Sequence, residues 1–303
     1  MASIIEMTPV NDIVVNKAYR EVLINNRLDT FQSWMEYTDG EIAKKVIQER
    51  STVKFVLDEE GRQSSFFLKR YTSPSVQEYL KCLIRFSWPK SALNEWRAIL
   101  RFHEIGLPTM VPVTEGAKRN SLGFITQSFV VTKEIKGAYR LDAYLARWLR
   151  KPLSKKEVQK KRRLIEQVAQ ITRKMHSMGL NHRDYYLCHI FIRTMEENED
   201  CELFIIDLHR VDIRKKKVGR RWIVKDLAAL HFSSLALPIH ATDRIRFVKL
   251  YLQKKHLDER DRFFVRQILK KTDRIAKHTE KMYRRVCAVD KQGTYKAEDS
   301  AGQ

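Results

Sequence analysis

The sequence predicts an α+β fold of two lobes, in which β-rich segments come first along the chain and helical segments follow. Residues 52–57 alternate between apolar and other side chains, as a half-buried strand does, and residues 64–71 resume the strand-like composition after a turn. Residues 155–178 instead carry apolar side chains at helical spacing. This segregation of strands and helices along the chain predicts the α+β class.

Two predicted helices have recognisable ends. The first covers residues 91–105, with Ser91 as a candidate N-cap and Gly106 as the residue that stops it. The second covers residues 155–178 and begins with the sequence S-x-x-E at 154–157, which is a capping box. The two N-terminal caps therefore predict where each helix starts.

The remaining segments complete the two lobes. Residues 122–135 predict one or two strands, and residues 201–208 predict a strand that ends at an acid. From Trp222 onward the chain is mostly helical, and residues 261–286 are dense in lysine and arginine. The predicted divisions are an N-lobe over 1–135, a helical C-lobe over 136–287 and a disordered tail over 288–303.

The chain carries a large positive charge. Its 303 residues include 58 Lys and Arg against 37 Asp and Glu, which gives a formal net charge of +21 and a pI near 9.8. This balance favours anionic partners, namely nucleic acid, an anionic membrane face, a phosphorylated substrate or an acidic protein. Charge alone does not choose among these four classes.

Cysteine spacing and hydropathy limit the cellular locations that the sequence fits. The four cysteines contain no C-x-x-C pair, so we expect a reduced, cytoplasmic protein rather than a zinc site or a disulfide scaffold. The first residues lack the basic start and apolar run of a signal peptide, so we expect none. No apolar stretch approaches the roughly 18 residues of a spanning helix. Any membrane contact is therefore expected to be peripheral.

The triplet His182-Arg183-Asp184 follows a predicted helix and precedes an apolar strand. Phosphoryl transfer to an alcohol needs a carboxylate near the incoming hydroxyl, which orients it and accepts its proton. Asp184 is therefore the candidate catalytic base, and His182 and Arg183 are expected to support its loop. Taken alone, the triplet could also be a chance match on a basic surface.

A second acid reduces that doubt. Asp207 lies 23 residues after Asp184, at the end of the apolar run Phe204-Ile205-Ile206. An acid at a strand end is costly without a partner, and a magnesium ion that bridges ATP phosphates would supply one. This is the position of the Asp-Phe-Gly acid in kinases. The two acids predict a two-lobed protein-kinase-like fold that uses ATP and Mg²⁺, although a capped strand end remains the alternative for Asp207.

Lys69 ends an apolar strand in the early β-rich region, where a phosphate-binding lysine is expected. Glu95, on the first predicted helix, is its expected ion-pair partner, with Glu78 and Glu104 as rivals. The alternative for Lys69 is an edge lysine whose stem covers apolar surface, and for Glu95 a solvated helix face.

Four further residues are candidates by position. His189 lies where kinases place a metal-binding Asn, although magnesium prefers oxygen, so His189 could instead bond to phosphate or Asp207, or be structural. Asp226 begins a predicted helix and could hydrogen-bond to the catalytic loop, or be an ordinary helix-start acid. Glu134 and Ile135 are the expected adenine-binding hinge.

With these residues in place, the sequence resembles the lipopolysaccharide core heptose(I) kinases, the WaaP or RfaP family. The resemblance covers roughly residues 50–250. Its residues are Phe67-Leu68-Lys69, Glu95-Trp96, Asn181-His182-Arg183-Asp184, Cys188-His189, Ile206-Asp207-Leu208-His209-Arg210, Arg220-Arg221-Trp222, Lys225-Asp226-Leu227 and Phe232-Ser233-Ser234.

The resemblance implies a kinase-like fold, ATP with Mg²⁺, and transfer to a heptose of the lipopolysaccharide inner core at the cytoplasmic face of the inner membrane. Residue by residue, it implies that Asp184 is the catalytic aspartate, Lys69 the ATP-contacting lysine and Asp207 the metal-binding acid. The segment 50–55 contains no glycine-rich loop, and His209 stands where protein kinases have the Gly of Asp-Phe-Gly.

The family resemblance also implies anionic ligands for the basic residues that follow Asp207. Lipid A and Kdo carry phosphates and carboxylates, which Arg and Lys bind well. The expected acceptor-binding residues are Arg210, Arg214, Lys215, Arg220 and Arg221. The basic C-terminal helix could lie on anionic lipid, and an acidic protein such as an acyl carrier protein could dock on the basic surface. A solvated face is the alternative for both basic runs.

Two other functions remain open. A kinase for another acceptor, such as Kdo itself, a small molecule or protein tyrosine, would have the same fold and ATP site. A nucleic-acid binder would account for the charge but for neither Asp184 nor Asp207, so we expect no nucleic-acid partner.

Overall fold

The chain divides into two compact units. The computed structural model describes residues 5–47, 50–59, 61–72, 91–194, 201–215 and 217–298. The first unit consists of residues 1–141, 174–182 and 189–217, and the second of residues 142–173, 183–188 and 218–303. The predicted lobe boundary at residue 135 differs from this division, because two later segments of the chain belong to the first unit.

The first unit is built on a seven-stranded sheet in the order β1-β2-β6-β7-β5-β4-β3, and every neighbouring pair is antiparallel. Long strands in the centre of the sheet carry the predicted hairpin, which the structure shows as β4 and β5. The strands are β1 Met7–Val10, β2 Ile13–Asn16, β3 Glu41–Ile47, β4 Arg50–Glu59, β5 Arg62–Tyr71, β6 Val111–Arg119 and β7 Ile125–Lys133.

Aromatic residues form the core on one face of this sheet. Phe55 of β4 stacks on Phe66 of β5, with ring centroids 5.6 Å apart. Trp34 is fully buried and contacts both Phe55 and Phe129. Gly116 makes room for this core, because a Cβ atom there would come within 2.5 Å of Phe129. Two short helices, α1 Arg20–Asn25 and α2 Phe31–Glu36, contribute the residues that cover it.

Helix α3, Ala92–Glu104, forms as predicted and buries an apolar face. Trp96, Ile99 and Phe102 are all at most 4% exposed. Ser91 is the N-cap residue, as predicted, but its side chain makes no capping hydrogen bond. The hydroxyl of Ser128 on β7 instead accepts from the backbone N–H of Ala92 at 3.0 Å, a tertiary contact that local sequence does not encode.

Short strands complete the first unit and bring late segments of the chain to it. They are β8 Tyr139–Arg140, β9 Leu180–Asn181, β10 Ile190–Thr194, β11 Cys201–Ile205 and β12 Asp212–Ile213. β10 pairs with β8 and β11, and β9 pairs with β12. The β9–β12 pair holds the residues just before the HRD triplet beside those that follow Asp207.

The second unit is helical. Its helices are α4 Leu141–Trp148, most of α5 Lys155–Ser177, α6 Arg220–Leu235, α7 Ala241–Leu252 and α8 Glu259–Glu298. Leu227 and Ala228 of α6 pack in one cluster with Phe264 and Ile268 of α8. The capping box predicted for α5 is present, since Ser154 N donates to Glu157 Oε2 at 2.8 Å and Glu157 N donates to Ser154 Oγ at 3.3 Å.

The predicted disordered tail is helical over part of its length. Helix α8 continues through residues 288–298 rather than ending near residue 287. A helix propagates by one hydrogen bond per residue once it is nucleated, and this segment contains no proline to stop it. Within the described residues, no helix combines the length and the apolar character needed to cross a membrane.

Candidate active site

Lys69 and Glu95 form a buried ion pair in the first unit. Lys69 lies on β5 opposite Thr52 of β4 and Val130 of β7. Its Nζ is 2.5 Å from Glu95 Oε1, and the Glu95 side chain has no solvent exposure. A buried charge is tolerated when it is paired, so the sheet and α3 hold the ammonium in place together.

The partner expected for Lys69 is therefore the one in contact with it. The rival Glu104 is exposed and pairs with Arg101 at 2.7 Å. The other rival, Glu78, lies outside the described residues.

Asp207 also lies close to Lys69 and to three other basic side chains of the first unit. Its Oδ1 is 3.4 Å from Lys69 Nζ, 3.5 Å from Arg50 Nη2 and 2.8 Å from His209 Nδ1. Its Oδ2 is 3.7 Å from His189 Nε2. The backbone of Asp207 is left-handed, with φ 59°, a strained conformation that is enriched at functional sites.

This environment keeps Asp207 ionised. Burial alone would raise the pKa of its carboxyl group, but the hydrogen bond from His209 and the charges of Lys69, His209 and His189 together lower the pKa below its usual range. Asp207 therefore offers an anionic carboxylate oxygen at neutral pH, and magnesium prefers such oxygens; its role as a metal ligand stays a prediction.

The ligand set of this region suits magnesium bound chiefly through phosphate oxygens. No group of three or more His, Cys, Asp or Glu side chains suited to hold a metal occurs in the described part of the chain. Mg²⁺ commonly uses one or two carboxylates plus substrate phosphates, so Asp207 alone fits that role. His189 as a metal ligand stays a prediction, and its ring lies beside Asp207 and against His182.

His182 ties the start of the HRD triplet to the strand end before Asp207. It is fully buried, and its Nε2 lies 3.0 Å from the carbonyl oxygen of Ile206. Its ring is nearly parallel to that of His189, with centroids 5.9 Å apart. Ile206 N in turn donates to the His189 carbonyl at 2.9 Å. These contacts are consistent with the supporting role expected for His182.

Asp184 belongs to the second unit, where Asp226 holds its loop. The backbone N–H of Arg183 donates to Asp226 Oδ1 at 2.8 Å, and Asp226 is fully buried. This is the contact expected of Asp226. Arg183 has φ 67°, so its backbone is also left-handed, and Asp184 itself is half-buried. The convergence of Asp184 and Asp207 on one substrate stays a prediction.

Two more residues fix the loop that carries Asp184, and neither was a candidate from the sequence. The hydroxyl of Tyr185 lies 2.8 Å from Thr172 Oγ1 in a fully buried setting, and burial raises the pKa of that phenol. The hydroxyl of Ser233 accepts from Leu187 N at 3.0 Å. Ser233 lies in one of the strings that carry the family resemblance, which is the signal that pointed toward it.

The expected acceptor-binding cations differ in their surroundings. Arg214 is held by the first unit: its Nη2 is 3.0 Å from Asp212 Oδ2, and its Nε donates to Asn181 Oδ1 at 3.2 Å. Arg210 is half-buried in the short helix that follows Asp207, and Lys215 is exposed.

Arg220 and Arg221 lie at the start of α6 in the second unit. Arg220 packs on α8, where its guanidinium covers Phe263 and Phe264 at 5.4 and 5.3 Å and its Nε donates to Gln267. Arg221 is exposed, and its guanidinium lies 5.3 Å from the ring centroid of Trp222. Arg214 and Arg220 therefore have structural contacts that the sequence did not predict.

The expected hinge residues follow the end of β7. Glu134 N donates to the Ser65 carbonyl at 2.9 Å, and its carboxylate accepts from Lys54 Nζ at 2.7 Å. The carbonyl of Ile135 accepts from Ala138 N at 3.2 Å. The Glu134 N–H is thus used in the sheet, and adenine binding by this segment stays a prediction.

The chain is similar to kinases that act on lipopolysaccharide. The model of the lipopolysaccharide kinase (Kdo/WaaP) family matches residues 34–251. The chain is 37% identical over 218 residues to the lipopolysaccharide core heptose(I) kinase WaaP of Escherichia coli (strain K12), which covers 70% of this chain and 78% of that protein. It is 34% identical over 232 residues to WaaP of Pseudomonas aeruginosa, covering 76% of this chain and 82% of that protein.

More distant similarity extends to another sugar kinase and to a solved structure. The chain is 26% identical over 216 residues to the 3-deoxy-D-manno-octulosonic acid kinase of Haemophilus influenzae (strain 86-028NP), covering 66% of this chain and 81% of that protein. A solved structure of WaaP in complex with acyl carrier protein matches with a TM-score of 0.66 and 28% identity, covering 88% of this chain and 98% of that chain. This likeness confirms the predicted kinase-like α+β fold.

Proposed function

The chain belongs to the lipopolysaccharide kinase (Kdo/WaaP) family, and on that premise we propose that it is an ATP-dependent kinase that phosphorylates a heptose hydroxyl of the lipopolysaccharide inner core. The observation that carries the proposal is the buried Lys69–Glu95 pair beside the ionised Asp207. The heptose(I) kinases are 34–37% identical to this chain and the Kdo kinase 26%, which favours heptose over Kdo as the acceptor.

In the proposed reaction, Lys69 binds the α- and β-phosphates of ATP. Glu95 holds the ammonium in position through the ion pair between Glu95 Oε1 and Lys69 Nζ. Asp207 would hold Mg²⁺, which when bound neutralises charge on the phosphate oxygens. The cations around Asp207 keep its carboxylate available at neutral pH.

Asp184 is proposed as the catalytic base. Its carboxylate accepts a hydrogen bond from the acceptor hydroxyl and then takes its proton, as the hydroxyl oxygen attacks the γ-phosphorus. One O–P bond forms while the bond between the γ-phosphorus and the bridging oxygen breaks, and ADP leaves. Asp226 supports this role by fixing the backbone of the preceding residue.

The reaction can be tested with purified protein, γ-labelled ATP and a panel of truncated core oligosaccharides. We expect label on heptose-containing acceptors and a ~10²–10⁴-fold lower turnover for Asp184→Asn, which keeps the side-chain size but removes the carboxylate. The exposed Asp39→Asn is the matched control and should match the unmodified protein. Label on Kdo alone, or on protein alone, would overturn the heptose assignment.

An acyl carrier protein is proposed as a partner. The solved relative is a complex with such a protein, and the net charge of +21 favours an acidic partner here. Mixing purified acyl carrier protein with the full chain should give a complex on size-exclusion chromatography that weakens as salt is raised. Absence of a complex at low salt would contradict this partner.

Helix α8 is proposed to lie on the anionic cytoplasmic face of the inner membrane. At 100° per residue, one exposed stripe of the helix carries Arg266, Lys270, Arg274, Lys277 and Lys281. Basic residues near an anionic surface contribute ~1 kcal/mol each. The stripe therefore suits peripheral rather than spanning contact.

Vesicle sedimentation tests this placement. The full chain should bind vesicles rich in phosphatidylglycerol and not vesicles of phosphatidylcholine. The triple change Arg274→Glu, Lys277→Glu and Lys281→Glu should weaken binding at least ~100-fold. A reversal of the exposed Arg150 to Glu is the control for net charge, and an equal loss per charge there would contradict the specific role of α8.

A further inference from the structure

Arg50 reaches the same carboxylate oxygen as Lys69. It is the first residue of β4, and its Nη2 lies 3.5 Å from Asp207 Oδ1. Lys69 Nζ lies 3.4 Å from that same oxygen. The two cations come from the paired strands β4 and β5, and they converge on one atom of the acid that is proposed to hold Mg²⁺.

The guanidinium of Arg50 has donors that its described contacts do not use. A separation of 3.5 Å from Asp207 makes an ion pair but is too long for a strong hydrogen bond. The ring of Tyr71, opposite Arg50 on β5, lies against the guanidinium, with its centroid 5.2 Å from the guanidinium carbon. Among the described residues, the buried Nε of Arg50 has no hydrogen-bond partner. Because an unpaired buried donor is costly, a ligand with several acceptor oxygens would be favoured here.

Arg50 follows the connection at which protein kinases have a glycine-rich loop. In those enzymes the loop precedes the strand that carries the lysine, and it covers the phosphates of ATP. Here the connection from β3 to β4 precedes the lysine strand β5, and Ile47 of β3 pairs with Arg50 across it. Residues 41–60 contain no glycine, the residue that allows a backbone to approach a ligand most closely. A side chain with several N–H donors can supply the missing contacts.

A magnesium ion at Asp207 would direct Arg50 toward phosphate. Lys69 is already paired with Glu95, which leaves Asp207 as the carboxylate that faces Arg50 among the described residues. Mg²⁺ on that carboxylate would offset its charge and repel the guanidinium, whereas the phosphate oxygens bound to the same ion would attract it. In kinases these oxygens belong to the β- and γ-phosphates, while the lysine takes the α- and β-phosphates.

We propose that Arg50 binds the γ-phosphate of ATP through its guanidinium, in place of the backbone N–H groups of a glycine-rich loop. Arg50 then offsets charge on the phosphoryl group that is transferred, and Lys69 binds the inner phosphates. The planar fork of an arginine suits this task, because it donates two parallel hydrogen bonds to two phosphate oxygens. This inference rests on the proposed kinase function and adds a second phosphate-binding residue to the site.

Nucleotide binding without turnover tests the inference. The probes are ADP and the non-hydrolysable ATP analogue with a β,γ-imido bridge, each titrated with Mg²⁺ into the full chain in a calorimeter. Arg50→Gln should raise the Kd of the analogue at least ~ten-fold and that of ADP less than ~two-fold, because only the analogue carries a γ-phosphate. Arg50→Lys keeps the charge but not the fork, so its loss of affinity should be smaller.

Controls make the outcomes distinct. Arg62→Gln, at the exposed far end of the same hairpin, should leave both Kd values as in the unmodified protein. Melting temperatures without nucleotide report any loss of folding, and Arg50→Lys provides the test if Arg50→Gln is unstable. A ratio of the two Kd values that is unchanged in both Arg50 variants, or equal weakening of both nucleotides, overturns the inference alone. Failure of the unmodified protein to bind either nucleotide overturns the proposed function itself.

Discussion

The ring Nε2–H of His182 donates a hydrogen bond to the carbonyl oxygen of Ile206, 3.0 Å away. Ile206 directly precedes Asp207, and its own N–H is bonded to the carbonyl of His189. The residue that begins the HRD triplet therefore fixes the backbone from which Asp207 projects. A supporting histidine can thus control the position of an acid that follows it by 25 residues, since 207 − 182 = 25.

Replacing His182 should lower both stability and activity. His182→Ala removes a buried hydrogen bond and the ring that packs on His189, so the free energy of unfolding should fall by ~2–4 kcal/mol. His182→Asn keeps a polar group able to reach the Ile206 carbonyl and should lose less. Urea unfolding and turnover of both variants check this order. Equal losses in the two variants would show that the hydrogen bond contributes nothing.

Glu95→Gln should impair phosphate binding without changing side-chain size. Of the two carboxylates that the described residues place beside Lys69 Nζ, the change removes the nearer and leaves Asp207, and breaking a buried ion pair typically costs ~3–5 kcal/mol. We expect a higher KM for ATP and a lower kcat. Steady-state kinetics with varied ATP measure both.

The double variant Lys69→Met/Glu95→Gln makes this test specific. Residues that act as one unit give non-additive losses, so the double change should cost little more than the worse single change. Additive losses in kcat/KM would contradict a shared role. Glu104→Gln, on the exposed side of α3, is the matched control.

Parts of the site followed from short-range patterns. A lysine at a strand end followed by an acid on the next helix is the pattern of a phosphate-binding lysine. This pattern predicts the pair of Lys69 and Glu95, and the ion pair is present. The capping box at Ser154 and Glu157 is local by nature, and it also formed. Interactions encoded within a few residues, or by a known spacing, are readable from sequence.

Tertiary contacts explain what the sequence did not reveal. Charge alone does not distinguish Arg214, which bonds to Asn181 and Asp212, from the exposed Lys215 beside it. Ser91 is the N-cap residue of α3, but the side-chain acceptor for the first N–H is Ser128, because the sheet brings it there. Strands β1 and β2 are four residues each, too short for an apolar period to show.

Arg214→Ala should therefore act on stability more than on acceptor binding. Its guanidinium links Asp212 and Asn181 in the β9–β12 pair, so removal should cost ~1–2 kcal/mol of unfolding free energy. Lys215→Ala, at an exposed neighbouring position, should change stability by less than ~0.5 kcal/mol. Chemical denaturation compares them. A rise in acceptor KM for Arg214→Ala at unchanged stability would restore its predicted role in acceptor binding.

Glu115 gives the first unit a stability that depends on pH near neutrality. Burial raises the pKa of its carboxyl group to about 7, although Arg97 and Arg119 act in the opposite direction. Within the described part of the chain, its Oε2 is buried without a hydrogen-bond partner. Because the folded pKa lies above the unfolded one, the folded state binds more protons between these two values, and stability falls as pH rises through that window.

Glu115→Gln removes the group that must be charged above pH 7. We expect its melting temperature to exceed that of the unmodified protein at pH 8 and to approach it at pH 4.5, where Glu115 is protonated in the folded state and about half protonated in the unfolded state. The exposed Glu41→Gln on β3 is the control and should show no such dependence on pH. Thermal unfolding at the two pH values measures the difference. A melting temperature for Glu115→Gln that is lower at pH 8, or equally changed at both values, would mean that the carboxylate is stabilised by its arginine neighbours after all.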